Sequence, residues 1–139
     1  MPELSLTVDV DAPAPATWEA LVDWERQSTW IPLTTVRTTP DGGVEAYTGL
    51  GPIGFLDTMT IDSWDPPRRC VVRHTGRVVR GAGAFEVVAV DDGSCRVVWT
   101  EWLELPGGLA GQLAWALSAP LAAASIRAAL RRFAASVAA

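Results

Sequence analysis

The sequence predicts an α+β fold in which a curved antiparallel sheet of about seven strands wraps a long C-terminal helix, with two short helices after the first strand. Two observations carry this. From Leu33 to Glu104 apolar and polar residues alternate in runs broken by turn-forming clusters, the pattern of hairpin-linked strands. After Pro106-Gly107-Gly108 no such cluster recurs, and the text is helix-forming to its end. Hairpin-linked strands make an antiparallel sheet, and its apolar face must be covered by the one long helix. With 139 residues, no repeat and no linker, a single domain over 1–139 is expected.

Each element follows in order. Leu4–Val10 alternates with the period of a half-buried strand, and Asp11-Ala12-Pro13-Ala14-Pro15 stops it. Pro15 suits a first helical turn, and Trp18, Leu21 and Val22 recur at helical spacing until near Asp23. A second helical stretch, Trp24 to Thr29, should end at Trp30-Ile31-Pro32, because the residue before proline avoids helical geometry. Thr34–Thr39 and Val44–Thr48 flank the turn Pro40-Asp41-Gly42-Gly43. Gly49–Gly54 is a glycine-rich loop, followed by strands Phe55–Trp64, Arg68–Thr75, Val78–Val90 and Cys95–Glu104. Gly81 and Gly83 would allow sharp curvature in the longest of them. Leu113, Leu117, Leu121, Ile126, Leu130, Phe133 and Val137 mark an apolar stripe on a helix from near Gly108 to near Ala135. Pro120 removes a helical hydrogen bond, so a kink or break is expected there.

Composition narrows the partners. The net charge is −5 and all 11 basic residues are arginine, so the basic surface that neutralises phosphates is lacking and nucleic acid is not expected as a partner. Cys70 and Cys95 have no CxxC neighbour and no His/Cys cluster. Two buried free thiols in a reducing cytoplasm, with no metal site and no cofactor, are the expectation. The N-terminus lacks a charged region followed by an apolar stretch, so no signal peptide is expected. Leu109–Ile126 carries no charge, but its polar residues and the arginines that follow favour a buried helix over stable membrane insertion.

Several motifs, taken in order, carry a resemblance. Val8-Asp9-Val10-Asp11-Ala12-Pro13 leads into Thr17-Trp18, and Leu21-Val22-Asp23-Trp24 leads to Trp30-Ile31-Pro32. Trp64-Asp65-Pro66-Pro67-Arg68 and Val98-Trp99-Thr100-Glu101 follow. Together with the element order, these resemble the START / polyketide cyclase–dehydrase (SRPBCC) superfamily of helix-grip proteins. The resemblance implies binding of a hydrophobic small molecule such as a lipid, sterol, quinone, polyketide or plant hormone. A minority of members catalyse cyclisation or dehydration, but no motif here carries over a defined active site.

Strand alternation selects candidate site residues. The more apolar sets, and so the inward ones, are Phe55, Asp57, Met59 and Ile61, then Cys70, Val72 and His74, then Val79, Gly81, Gly83, Phe85 and Val87. The Pro66-Pro67 turn sets Met59 opposite His74 and makes Asp57 a diagonal neighbour. In the last strand Val97, Trp99, Glu101 and Leu103 are the inward candidates, leaving Arg96, Thr100 and Glu104 in solvent. That register stays open, since three- and four-residue turns at Asp91–Ser94 give opposite parity. Asp57, His74 and Glu101 are thus the catalytic candidates, a polar trio suited to acid–base work on a carbonyl. The alternative is that they sit hydrogen-bonded or solvated at strand ends. Met59, Val72, His74, Phe85, Trp99, Glu101, Leu113 and Leu117 are the expected ligand contacts, with Trp115 on the covering helix. Most of the seven tryptophans are core or rim residues by the same logic. Gly49–Gly54 lacks the lysine and strand-to-helix setting of a phosphate loop, and is read instead as a flexible cover at the cavity entrance. A binding protein, a cyclase-type enzyme and an interaction module with a filled interior remain the three functional readings.

Overall fold

The computed structural model describes residues 2–138. Strand β1 (Glu3–Val10) is followed by helix α1 (Ala14–Leu21) and a 3₁₀ segment (Trp24–Thr29). Then come β2 (Thr34–Thr38), β3 (Val44–Leu50), β4 (Ile53–Asp65), β5 (Arg69–Thr75), β6 (Arg80–Asp91) and β7 (Ser94–Leu103), and finally α2 (Gly108–Ala138). The seven strands form one antiparallel sheet in the order β1-β7-β6-β5-β4-β3-β2. Five hairpins build β2 through β7, and β1 closes onto β7. The segment from α1 to Pro32 therefore has to cross from one edge of the sheet to the other. This is the expected helix-grip architecture.

The interior is packed at one end and hollow at the other. Val10, Leu21, Trp30, Cys70, Cys95, Val97, Leu130 and Phe133 are all but inaccessible to solvent. Trp30 joins the layers: its ring centroid lies 5.0 Å from that of Phe133 and 6.1 Å from that of Trp99. Trp99 in turn meets Phe85 edge-on at 5.1 Å. Offset and edge-on aromatic pairs of this kind hold the partition between core and hollow.

Helix α2 departs from expectation in two ways. It runs without a break through Pro120. Its leucines also face away: Leu109, Leu113, Leu117 and Leu121 are 84%, 62%, 76% and 73% exposed, so Leu113 and Leu117 do not reach the interior. Geometry explains this, since a helix turns about 100° per residue. Trp115, Ala122, Ile126, Ala129 and Phe133 then share one face, Trp115 and Phe133 lying about five full turns apart. Leu113, Leu117 and Leu121 fall on roughly the opposite side. The stripe of leucines is real, but it is not the continuation of the Ile126–Phe133 stripe. The helix has the length and composition of a membrane-crossing one, and only 11% of its apolar window is buried. Its last turns, however, are locked into the core through Ala129, Leu130 and Phe133. The expectation of a helix buried along Leu109–Ile126 is thus corrected.

Other departures are local. Gly49–Gly54 is not a loop but the end of a hairpin, with Gly49 paired to Gly54 and Leu50 to Ile53 around Gly51-Pro52. The Tyr47 hydroxyl donates to the Gly51 carbonyl at 2.6 Å and fastens the turn. Ile61 stands beside a bulge between Ile61 and Ser63 and is 38% exposed, outside the cavity wall. Thr100 is buried rather than solvated, its hydroxyl bonded to that of Ser5 at 3.1 Å. Gly81 has a φ of +117°, and a Cβ there would lie 2.0 Å from the Trp102 carbonyl oxygen, so the position requires glycine.

Candidate functional site

A cavity of about 540 Å³ lies between the sheet and the inner face of α2. Its walls are mostly apolar, with Met59, Val72, Phe85, Trp99 and Trp115 among them. Helix α2 contributes mainly small side chains, Ala122, Ser125 and Ala129, and the space they leave is the cavity. Leu113 and Leu117 take no part in its lining.

The polar feature of this wall is the trio picked out by alternation. Met59 pairs with His74 across β4 and β5, which places Asp57 diagonally beside the ring. The Asp57 carboxylate lies 2.9 Å from His74 Nδ1. Glu101 comes from β7, two strands away from β5, a backbone gap of roughly 9.5 Å at the usual strand spacing. It reaches His74 nonetheless, with Oε2 2.8 Å from Nε2. Gly83, on the intervening strand and paired to both Val72 and Glu101, makes this possible. A Cβ at residue 83 would sit 2.9 Å from both carboxylate oxygens of Glu101. The other oxygen, Oε1, accepts a hydrogen bond from Trp99 Nε1 at 2.9 Å. A chain of contacts therefore runs Asp57–His74–Glu101–Trp99 across the sheet from β4 to β7.

Carboxylate and imidazole groups this close to one another settle the charge on the ring. Burial by itself pulls the His74 pKa down. The hydrogen bonds and charges of Asp57 and Glu101 outweigh it, and the pKa is pushed up to about 10. His74 is an imidazolium at neutral pH, donating from both nitrogens. Its side chain is 4% exposed, against 15% for Asp57 and 14% for Glu101. The Cys70 thiol, elsewhere on the wall, is pushed up to about 11 by burial, so it stays protonated and is no nucleophile at neutral pH.

Alternation brought Glu101 into the trio but left the register of its strand open, and it did not show how the side chain passes the intervening strand. The signal was present as a glycine opposite a glutamate on the inward face. Of the remaining polar wall residues, Thr34 donates to the Pro32 carbonyl and meets Thr48 at 2.9 Å, and Gln27 donates to the Leu21 carbonyl, while Ser125 joins the wall from α2. Among the described residues no group of three or more His, Cys, Asp or Glu side chains is arranged to hold a metal ion.

Comparison with known proteins places this architecture. Residues 1–138 match the family described as polyketide cyclase / dehydrase and lipid transport, and the chain belongs to that family. No curated protein matches the sequence. Among solved structures, the chain is similar to the Zhui aromatase/cyclase from Streptomyces sp. R1128, at 21% identity and a TM-score of 0.76, covering 98% of this chain and 93% of that one. A protein from Thermus thermophilus superposes with a TM-score of 0.79 at 16% identity, over 98% and 97% of the two chains. A conserved protein from Geobacillus kaustophilus gives 0.74 at 16% identity, over 99% and 95%. At these identities the likeness is one of fold.

Proposed function

We propose that the protein binds a hydrophobic small molecule, lipid-, quinone- or polyketide-like, in the cavity between the sheet and α2, and that it is a binder rather than a catalyst. The observation that carries this is the cavity itself: about 540 Å³, within the usual range for small-molecule sites, with mostly apolar walls and one localised polar patch. The state of His74 favours binding over catalysis. A general base needs a free nitrogen within hydrogen-bond reach of the substrate proton, and both ring nitrogens face carboxylates instead. Met59, Val72, Phe85, Trp99 and Trp115 are the apolar ligand contacts in this reading.

The second reading is a cyclase-, aromatase- or dehydratase-type enzyme using His74 with its carboxylates. The family description and the pre-formed Asp57–His74–Glu101 contact favour it. The two separate by experiment. A neutral solvatochromic dye such as Nile red should bind one to one and be displaced by apolar ligands. A ligand at a hundredfold excess over its Kd should stabilise the fold by about 2.7 kcal/mol. His74→Ala in a binder changes affinity alone; in an enzyme it lowers turnover of a polyketide-like substrate by about 10²–10⁴-fold. Absence of any stoichiometric dye binding would defeat the binding reading.

A further inference from the structure

The polar patch in the cavity has an asymmetry that bears on what the cavity accepts. All three N–H donors of the cluster are taken within it: His74 Nδ1 by Asp57, His74 Nε2 by Glu101 and Trp99 Nε1 by Glu101. Three of the four carboxylate oxygens are engaged in the same contacts. The fourth, Asp57 Oδ2, receives no hydrogen bond from the described residues, and Asp57 lines the cavity. The patch therefore offers an acceptor and no donor. Its formal charge is −1, from two carboxylates and one imidazolium. No arginine contributes to the cavity wall, and the chain contains no lysine. The hydroxyls of Thr34 and Thr48 and the Gln27 amide are turned to protein partners, and the Ser125 hydroxyl and the Trp24 and Trp115 indoles offer the wall neutral donors only.

An anionic head in this cavity would meet net negative charge with no cation to answer it. In a partly dry site, like charges that close repel strongly, and opposite charges attract as strongly. We propose that the ligand is an apolar molecule whose polar end donates hydrogen bonds and carries no negative charge, an amine cation first and a hydroxyl second. It is seated on Asp57 Oδ2, and carboxylate and phosphate heads are rejected. This rests on the cavity-binding reading and narrows it: free fatty acids and phosphate-bearing lipids fall outside the ligand class, although their chains would fit the apolar walls.

The test uses three probes with one tail and three heads. Dodecylamine, dodecanol and dodecanoate compete with Nile red for the full-length protein at pH 7, below their aggregation limits. The expected order of affinity is amine, alcohol, carboxylate, with the amine about 100-fold or more above the carboxylate. In Asp57→Asn, which brings the patch to zero formal charge and replaces the open acceptor, that ratio should fall at least tenfold. Dodecanoate binding as tightly as dodecylamine to wild-type protein that still binds the dye would overturn the proposal and leave the binding reading standing. Failure of the dye and all three probes to bind would remove both. An amine preference that persists undiminished in Asp57→Asn would overturn the assignment to Asp57. The wild-type comparison needs no variant to fold.

Discussion

Raising the pH from 7 to 9 should destabilise this protein through a single side chain. His74 is the only histidine in the sequence. Its ordinary pKa is 6.5, and in the folded protein the flanking carboxylates push it up to about 10. Below about pH 6.5 both folded and unfolded chains hold the proton, and the stabilisation is complete. Between the two values only the folded chain holds it, so stability falls by about 1.4 kcal/mol per pH unit. Above about pH 10 both have lost it and the contribution is gone. The whole difference is on the order of 5 kcal/mol, comparable with the entire stability of many domains. The groups facing the ring are Asp57 from β4 and Glu101 from β7, and α2 brings no charged side chain to the cavity wall. Cys70, raised from 9.0 to about 11, acts in the same direction but begins only near pH 9, which leaves the lower window to His74. Denaturant titrations at pH 7, 8 and 9 should show a loss of about 2–3 kcal/mol across the series. The ring proton resonances, free of overlap from any second histidine, should show the midpoint directly. A wild-type stability that stays level from pH 7 to 9, or a ring titrating near 6.5, would refute the doubly anchored imidazolium.

Two further outcomes follow from packing. Gly83→Ala places a methyl group 2.9 Å from both Glu101 oxygens, so Glu101 should be displaced from His74 and the midpoint of the histidine titration should move down; an unmoved midpoint would show that Glu101 does not depend on the gap. Leu113→Gln and Leu117→Gln should change unfolding free energy by no more than about 0.5 kcal/mol, whereas Phe133→Ala should cost about 3–5 kcal/mol; equal costs in denaturant titrations would mean that the leucines are covered after all.

Much of the sheet was legible because its period of two is short and its punctuation dense. The Pro66-Pro67 turn marked the hairpin, although the bulge between Ile61 and Ser63 was also needed to set Met59 rather than Thr60 against His74. A polar residue at an inward position stands out against apolar neighbours, which is how Asp57 and His74 declared themselves. The parity of β7 was not legible. It depended on the Asp91↔Ser94 pairing and on the irregularity between Ala89 and Asp91, neither of which alternation can detect. Helix α2 misled for a different reason. Alanine and leucine are distributed so evenly that a four-residue spacing of leucines looks like a core stripe, and only the angular drift from Leu113 to Leu130 shows that it is not. The contact between Glu101 and His74 depends on strand order, a long-range property, and on a missing side chain at Gly83.

Helix α2 is fastened like a cantilever. Its distal turns, from Ile126 onward, are clamped among Trp30, Val97 and the other core residues, while the span before Pro120 gives the cavity wall Trp115 alone. Pro120 leaves the carbonyl of Ala116 without its usual helical donor, and it stands near the boundary between clamp and overhang. Proline sites are where long helices bend with least resistance. The turns that keep the protein folded therefore also bound the cavity, since Ile126 and Ala129 serve both, and Trp115 alone stands on the free side of Pro120. A bend at Pro120 would thus move Trp115 alone among the wall residues of α2 and leave Ala122 to Ala129, and every contact of Phe133, in place.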